Sequence, residues 1–365
     1  MKKLRAVVCG ASFGQFYMEA LSRMHDRIEL VGLVAKGSEK SARCAEAYGV
    51  PLITDREKIP DADIAFVILR SGILGGAANE YTELFLDRGV HVLQEFPVHP
   101  NDVRNNFKMA KKARACYHIG DFYLHLPQIR KFTEYVKRLN EICPPSHIQM
   151  SLASAVSMPA FFMLRDMLPT AKNIGLRCVS DNETPFQLLM GDIDRVPVTV
   201  EVHNEVNTDD PDSAMYLLQS FNVIYETGRL SLQDPLGDII WYPKVKSSLS
   251  RYSNGIAARE VGSSLYDDGG VTLSAHTLFE KNKNDIWVRA IMSDICEMLE
   301  GISDSRKYMS YSQKTITGAV QWEGFNKLIG FPKRLEGVKA SAEQKEMLEK
   351  MIAEFIAEKE KVKNE

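Results

Sequence analysis

Short runs of branched apolar residues alternate with stretches of helical periodicity over the first third of this chain. Five β-rich runs stand out, namely LRAVVCG (4–10), IELVGLVA (28–35), DIAFVIL (63–69), VHVLQEF (90–96) and CYHIGDF (116–122). Helical patterns lie between them, at about 14–24, 38–48, 73–88 and 102–115. Such alternation predicts a parallel sheet with helices on both faces. The runs are nearly continuous Val, Ile and Leu, which is typical of strands whose two faces are both covered.

The pattern changes after residue 125. One helix is predicted over 126–141, and from 146 to about 280 the chain is rich in strands of alternating polarity, such as VPVTVEVHNEV and SFNVIYETGRLSLQD. Helices are predicted at about 284–300 and 311–328, and apolar residues at helical spacing from Met347 to Ile356 indicate a last amphipathic helix. We therefore predict an α/β chain in three parts: 1–122 with the parallel sheet, 123–335 with a large open and mostly antiparallel sheet, and 336–365 as a C-terminal helix.

The composition excludes several functional classes. Lys and Arg number 45 against 48 Asp and Glu, without the concentrated basic face that nucleic-acid binding needs. No apolar stretch approaches the roughly 20 residues that span a bilayer. The six cysteines are scattered without a Cys-x-x-Cys pair, which suits a reducing cytoplasm, and no histidine–carboxylate cluster has metal-ligand spacing. We expect a cytoplasmic protein that binds neither nucleic acid nor a membrane. We also expect that it binds no metal.

A glycine-containing turn follows the first strand and opens the first helix. The segment VVCGASFGQFY is a degenerate dinucleotide fingerprint, because Ser12 stands where a second glycine is usual and Gln15 takes the third place. The position in a βαβ unit favours cofactor binding by Gly10, Ala11, Ser12, Phe13 and Gly14. The helix N-terminus beyond them would receive the pyrophosphate through its free N–H groups. Residues 1–122 are therefore predicted to be a nicotinamide-cofactor-binding Rossmann domain.

The end of the second strand indicates which cofactor is bound. An NAD enzyme places Asp or Glu there for the ribose hydroxyls, whereas this chain has VAKGSEKSAR. A 2′-phosphate needs cations and hydroxyl donors. We therefore predict NADPH, with the cofactor-binding residues of this corner being Lys36, Gly37, Ser38, Ser41 and Arg43.

Two further strand ends face the same crevice. The segment LRSGILGG (69–76) places Arg70 and Ser71 beside the pyrophosphate and nicotinamide ribose. Glu95 and Pro97 follow the next strand, in HVLQEFPVHP. Ligands bind at the carboxyl ends of strands in open α/β sheets, so these four residues are predicted to complete the cofactor site.

Several segments together resemble a known family. CGASFGQFYMEAL, LVAKGSEKSAR, GVHVLQEFPVHP, DFYLHLPQIR and GDIDRVPVTVEVHNEVNTDDPDSAMYLL, with GRLSLQDPLGDIIWYP, are similar to thiazolinyl imide reductases of siderophore biosynthesis, within the glucose–fructose oxidoreductase and inositol dehydrogenase superfamily. The resemblance implies NADPH-dependent reduction of a thiazoline C=N bond, on a substrate held as a thioester by a peptidyl carrier protein of a nonribosomal peptide synthetase. It also implies Tyr123 or His99 as the proton donor.

The residues fit that chemistry. Dehydrogenases of the superfamily carry Glu-Lys-Pro where this chain has Glu95-Phe96-Pro97, and their lysine serves alkoxide chemistry. Imine reduction forms no alkoxide but requires a proton donor, and tyrosine (pKa of about 10) or histidine (about 6.5) can serve. The sequence also has no histidine between His147 and His203, where a sugar dehydrogenase would be expected to pair one with an aspartate.

Alternatives remain open. The chain could be a sugar or polyol dehydrogenase, or a non-catalytic NADP-binding regulator. His125 is a second possible partner in proton transfer, whereas His118 lies in a strand pattern and is expected in the core. An open sheet with an exposed face usually finds a partner, so we expect a homodimer.

Overall fold

The chain is seen here as a computed structural model, which describes residues 3–70, 76–171, 173–180, 184–207, 215–244, 271–274, 279–335 and 342–364. It divides into two compact units, Met1–Asn204 with Tyr216–Phe331, and Glu205–Met215 with Pro332–Glu365. Both large sheets lie within the first unit. The domain boundaries expected after residues 122 and 335 stay a prediction.

A six-stranded parallel sheet begins the first unit. Its elements are β1 (Leu4–Cys9), α1 (Gly14–Arg23), β2 (Ile28–Val34), α2 (Glu39–Ala47), β3 (Leu52–Ile53), β4 (Ile64–Val67), α3 (Ala78–Asp87), β5 (His91–Glu95), α4 (Pro100–Ala113) and β6 (Tyr117–Gly120). The strand order is β3-β2-β1-β4-β5-β6. Strands β2 and β3 therefore lie on one side of β1, and β4, β5 and β6 lie on the other. This reversal opens a crevice at the carboxyl ends of β1 and β4, where open α/β sheets bind ligands.

The second sheet is reached through a 3-10 turn (Phe122–His125) and α5 (Pro127–Ile142). The following elements are β7 (His147–Ala153), α6 (Ser157–Met167), β8 (Ile174–Cys178), β9 (Phe186–Ile193), β10 (Val196–His203), β11 (Glu205–Asn207), β12 (Gln219–Tyr225), β13 (Gly228–Leu232), β14 (Ile239–Pro243) and β15 (Val271–Ser274). The order is β15-β14-β13-β12-β7-β10-β9-β8. Only β7 and β10 pair in parallel within this sheet, as far as the described strands show.

Two long helices complete the first unit, α7 (Phe279–Ser303) and α8 (Ser305–Ile329). Helix α7 packs against α1 and the 3-10 turn, and α8 packs against α4 and α6. Hydroxyl groups of α8 also protect the sheet edge, because Tyr308 and Tyr311 accept the N–H groups of Tyr117 and Ile119 at 2.9 and 2.8 Å. These bonds satisfy the outer N–H groups that an edge strand leaves unpaired.

The second unit contains the parallel pair of β11 with β16 (Lys333–Leu335), and a last helix, α9 (Ala342–Asn364). A helix thus occupies Ala342–Asn364, within the range where the last helix was predicted. None of the described helices is long and apolar enough to cross a membrane. All six cysteines are free.

The predicted fold class is confirmed: a Rossmann-type parallel sheet precedes a mostly antiparallel sheet. The interpretation of 146–280 as strands nevertheless missed α6. Nine of the 11 residues of this helix are buried, including its whole first half from Ser157 to Phe162. A helix that is apolar on all sides lacks the periodicity by which an amphipathic helix is recognised.

Candidate active site

The turn between β1 and α1 has the geometry of a pyrophosphate-binding turn. Gly10 has a φ of +102°, and a Cβ there would lie 2.2 Å from the carbonyl oxygen of Ile68 at the end of β4. Helix α1 begins at Gly14, its N-cap Phe13 makes no side-chain capping bond, and its first turn contains no acid. The Phe16 N–H donates to the Phe13 carbonyl at 3.0 Å, so the N–H groups before it at the start of α1 are left for an anion, and the dipole favours one. The turn fits a dinucleotide.

Basic side chains gather at the end of β2. Lys36 and Lys40 are exposed, and Lys40 Nζ lies 3.5 Å from the hydroxyl of Ser12 in the β1–α1 turn. Neither lysine has an ion pair with an acid in the described part of the chain. Gly37 turns the chain with a φ of +88°. This corner therefore brings two cations next to the predicted cofactor turn.

The other residues predicted at this corner are engaged within α2. Ser38 caps the helix, its hydroxyl accepting the N–H of Ser41 at 3.3 Å. The Ser41 hydroxyl is buried and donates to the Ser38 carbonyl at 2.7 Å. Arg43 pairs with Glu39 at 3.5 Å on an exposed surface. The geometry thus gives Ser41 and Arg43 roles in the helix start, and leaves Lys36 and Lys40 facing solvent.

Glu95 ends β5 and forms a short hydrogen bond with α1. The hydroxyl of Tyr17, whose ring is fully buried, donates to Glu95 Oε2 at 2.5 Å. Gly120 makes room for this pair, because a Cβ at the end of β6 would stand 2.7 Å from the Tyr17 hydroxyl. Loss of solvation raises the pKa of Glu95 well above its usual range. Sequence inspection did not single out Tyr17, which reaches Glu95 across 78 positions of the chain.

The remaining predicted cofactor residues lie at two strand ends. Arg70 is exposed just after β4, and its carbonyl accepts the N–H of Ala78 at 3.2 Å. Ser71 lies outside the described residues. Pro97 is half-buried and follows a cis peptide bond with Phe96.

Tyr123 lies at the end of a row of aromatic rings. It is buried, and its N–H donates to Asp121 Oδ1 at 3.1 Å. Its ring centroid is 5.9 Å from that of Phe96, in a T-shaped arrangement, and 4.6 Å from that of Phe122. Phe122 in turn lies 5.6 Å from Phe13 in the cofactor turn and 5.5 Å from Trp287 of α7. The row connects the predicted cofactor turn to the predicted proton donor.

His99 occupies a different setting. It is the N-cap of α4, and its Nδ1 accepts the N–H of Asn101 at 3.1 Å. That bond holds the neutral ring with its proton on Nε2. The described hydrogen bond of His99 is thus made within the start of α4, whereas Tyr123 contacts Phe96.

The segment that carries Tyr123 is held by a residue of α7. The two oxygens of the buried Asp294 contact His118 Nε2 at 2.7 Å, the Asp121 N–H at 3.0 Å and His125 Nε2 at 3.4 Å. His118 is buried in β6, as the sequence indicated. The sequence did not point to Asp294, because it is 176 positions from His118.

Comparison with known proteins agrees with this geometry. Residues 4–121 match the GFO_IDH_MocA model, an oxidoreductase family with an NAD-binding Rossmann fold. No curated protein matches the sequence of the chain.

Several solved structures share the fold over both sheets. UDP-N-acetylglucosamine 3-dehydrogenase GnnA from Acidithiobacillus ferrooxidans is 13% identical, with 90% of this chain and 100% of that chain covered and a TM-score of 0.61. A mutant of KijD10, a 3-ketoreductase from Actinomadura kijaniata in complex with TDP-benzene and NADP, is 14% identical, with 92% and 100% covered and a TM-score of 0.62. An Agrobacterium radiobacter oxidoreductase in complex with NAD+, L-tartaric acid and magnesium is 10% identical, with 90% and 97% covered and a TM-score of 0.65. At sequence identities this low, the structural likeness establishes a common fold and nothing about the substrate.

Proposed function

Residues 4–121 match an oxidoreductase family with an NAD-binding Rossmann fold, and from this premise we propose that the chain is an NADPH-dependent reductase of a thiazoline C=N bond. The substrate on this proposal is a siderophore intermediate bound as a thioester to a peptidyl carrier protein, and the product is a thiazolidine. The observation that carries the proposal is the contact of Phe96 with Tyr123 at the end of β5. The phenol of Tyr123 lies against the apolar ring of Phe96. Phe96 occupies the chain position at which a dehydrogenase that forms an alkoxide would use a lysine.

The chemistry divides between the cofactor and the chain. NADPH, when bound, supplies the hydride. The chain must bring a proton to the ring nitrogen, because hydride addition at carbon leaves negative charge there. Tyr123 is a hydroxyl donor whose main chain is fixed by Asp121 and whose ring packs against Phe96 and Phe122. On this proposal the row of rings would also keep water away from the reacting bond, which favours proton delivery by the protein.

The cofactor would be held by the β1–α1 turn and the basic corner. Gly10 and Gly14 allow the backbone to approach the pyrophosphate, and Lys36, Ser38 and Lys40 supply cations and a hydroxyl group for a 2′-phosphate. The absence of an acid at the end of β2 supports NADPH over NADH, since Glu39 is turned to Arg43.

Changing both Lys36 and Lys40 to glutamine should therefore weaken NADPH binding selectively. Two charge-assisted contacts are worth about 1.5 kcal/mol each or more, so we expect the dissociation constant for NADPH to rise roughly 100-fold. The constant for NADH should change by less than about threefold, since NADH has no 2′-phosphate. Fluorescence titration of both cofactors measures this. The matched control changes Lys108 and Lys112, exposed on α4, to glutamine. Equal weakening for NADH would contradict the assignment.

The proposed reaction is tested by its substrate. Purified enzyme with NADPH and a thiazolinyl thioester on a carrier protein should oxidise the cofactor stoichiometrically with thiazolidine formation, followed by absorbance and mass spectrometry. The same thioester on a small thiol should react with a higher KM, because the carrier protein is proposed as a binding partner. No turnover of either substrate would contradict the proposal.

A second candidate is oxidation or reduction of a sugar or polyol. It is favoured by the similar folds of UDP-N-acetylglucosamine 3-dehydrogenase and the 3-ketoreductase KijD10. It is disfavoured by Phe96, which cannot take a hydroxyl proton. Reduction of NADP+ by polyols or nucleotide sugars, without activity on the thioester, would support this second function.

The proposed assembly is a homodimer formed through the open face of the second sheet. Light scattering during gel filtration should give a mass near twice 41.1 kDa. A mass of one chain at micromolar concentration would contradict it.

A further inference from the structure

Five ionisable side chains converge beside the edge strand β6. His118 belongs to β6, Asp121 and His125 come from the turn that follows it, and Asp294 and Glu297 lie one turn apart on α7. His125 Nε2 is 3.4 Å from Asp294 Oδ1 and 3.4 Å from Glu297 Oε2, and His118 Nε2 is 2.7 Å from Asp294 Oδ1. Donor atoms of His118, Asp294 and Glu297 all lie within 4.8 Å of one another. The cluster lies outside the proposed cofactor turn and does not depend on the proposed function.

The cluster has an excess of negative charge. Asp121 and Asp294 are buried at 3% and 1% exposure, and neither they nor Glu297 pair with a lysine or arginine in the described part of the chain. Three lysines near the cluster are used elsewhere. Lys137 and Lys314 pair with Asp166 and Lys307 pairs with Glu300, at 3.8, 3.7 and 2.7 Å. Three carboxylates against two imidazoles leave a negative charge even when both rings are protonated, and of the three only Glu297 is half exposed to solvent.

One buried oxygen of the cluster also lacks a partner. Asp121 Oδ1 accepts the N–H of Tyr123, but Asp121 Oδ2 is inaccessible and has no hydrogen-bond donor among the described residues. An orphaned carboxylate oxygen in the interior calls for a cation or an ordered ligand.

A cavity of about 570 Å³ borders all five side chains. It provides access for an ion and room for its water ligands. Donor atoms bound to zinc at 2.0–2.1 Å in a tetrahedron lie roughly 3.3–3.4 Å apart, which is close to both contacts of His125 with the two carboxylates. Donor pairs that stand up to 4.8 Å apart in the group of His118, Asp294 and Glu297 would have to approach by as much as roughly 1.4 Å. The His118–Asp294 contact would have to lengthen by roughly 0.6 Å, a shift within the reach of side-chain rotation.

We propose that this cluster is a binding site for a divalent transition-metal ion, with zinc as the ion it fits best. The ligands are the imidazole nitrogens of His118 and His125 and the carboxylates of Asp294 and Glu297, and Asp121 Oδ2 accepts from a water bound to the ion. Two imidazoles with carboxylates suit zinc better than magnesium or calcium, which prefer oxygen alone. The ion would join α7 to the turn that carries Tyr123.

The test is zinc binding by the full chain. Protein treated with chelator and dialysed is titrated with Zn²⁺ against a chromophoric competitor, and the bound metal is counted by mass spectrometry. We expect one ion per chain. Changing Glu297 to glutamine should weaken binding by at least about tenfold, because it removes a ligand, and even indirect partners of a metal contribute tenfold or more. Glu297 is half exposed, so this variant should fold.

The control is Glu300→Gln, which alters a residue of the same helix and cavity that lies outside the cluster. Its zinc affinity should equal that of the unchanged protein. His125→Gln is a second ligand variant, with folding followed by circular dichroism. Co²⁺ substitution should give a spectrum without thiolate charge transfer, which separates this site from Cys296 beside Glu297. The proposal would be overturned if the protein bound no zinc, if Glu297→Gln bound zinc as tightly as the unchanged protein, or if the Co²⁺ spectrum showed thiolate charge transfer. The cluster would then be an ion-pair network without a metal.

Discussion

Replacing Gly10 with alanine should abolish cofactor binding and lower the free energy of unfolding by about 2–5 kcal/mol. Two effects add. A residue with a side chain costs roughly 1–2 kcal/mol at a φ of +102°, and relieving a Cβ placed 2.2 Å from the Ile68 carbonyl oxygen costs roughly 1–3 kcal/mol more. The Ile68 oxygen is main chain at the end of β4, so it cannot rotate away as a flexible side chain would. Urea unfolding and cofactor titration measure the two losses.

Gly49 supplies the matched control. It also has a positive φ, of +64°, but a Cβ there meets nothing within 4 Å. Gly49→Ala should therefore cost only the backbone term of roughly 1–2 kcal/mol and leave cofactor binding unchanged. If both alanine variants lost the same stability and both bound cofactor, the collision with β4 would not be what requires glycine at position 10.

The parallel sheet could be predicted because its information is local. The predicted strands of residues 4–122 are nearly continuous apolar runs, and β4 is buried at all four positions. β3 was missed because two residues, Leu52 and Ile53, are too short for a pattern. The predicted helix over 73–88 is seen from Ala78 to Asp87. Helical periodicity in the sequence shows that a helix is present more reliably than it shows at which residues the helix begins and ends.

The candidate site could be predicted only where a motif is contiguous. Gly10 to Gly14 and Lys36 to Lys40 are short segments whose order in the chain is also their order in space. The Tyr17–Glu95 bond and the contacts of Asp294 join segments 78 to 176 positions apart, and no spacing rule anticipates them. The expectation that no metal binds rested on such spacing, which cannot register a cluster assembled from β6, a turn and α7.

Changing Tyr123 to phenylalanine should lower kcat for the proposed reduction by about 100-fold to 10,000-fold, the range for loss of a positioned proton donor. The ring stays in contact with Phe96 and Phe122, so the dissociation constant for NADPH should not change. Tyr225→Phe is the matched control. Its hydroxyl donates from β12 to Asn140 Oδ1 of α5 at 3.0 Å, and its loss should leave kcat unchanged.

His99 can be tested without disturbing α4. Asparagine is as good an N-cap as any residue, so His99→Asn removes the imidazole while keeping an acceptor for the Asn101 N–H. His99→Ala would remove both and lose about 1 kcal/mol of stability with the cap. If Tyr123 is the donor, His99→Asn should keep kcat within about threefold of the unchanged enzyme. The reverse pattern, with Tyr123→Phe active and His99→Asn inactive, would assign the proton to His99. An equal loss of kcat in the Tyr123→Phe and His99→Asn variants would indicate that the two side chains act as one unit, since effects within a unit are not additive.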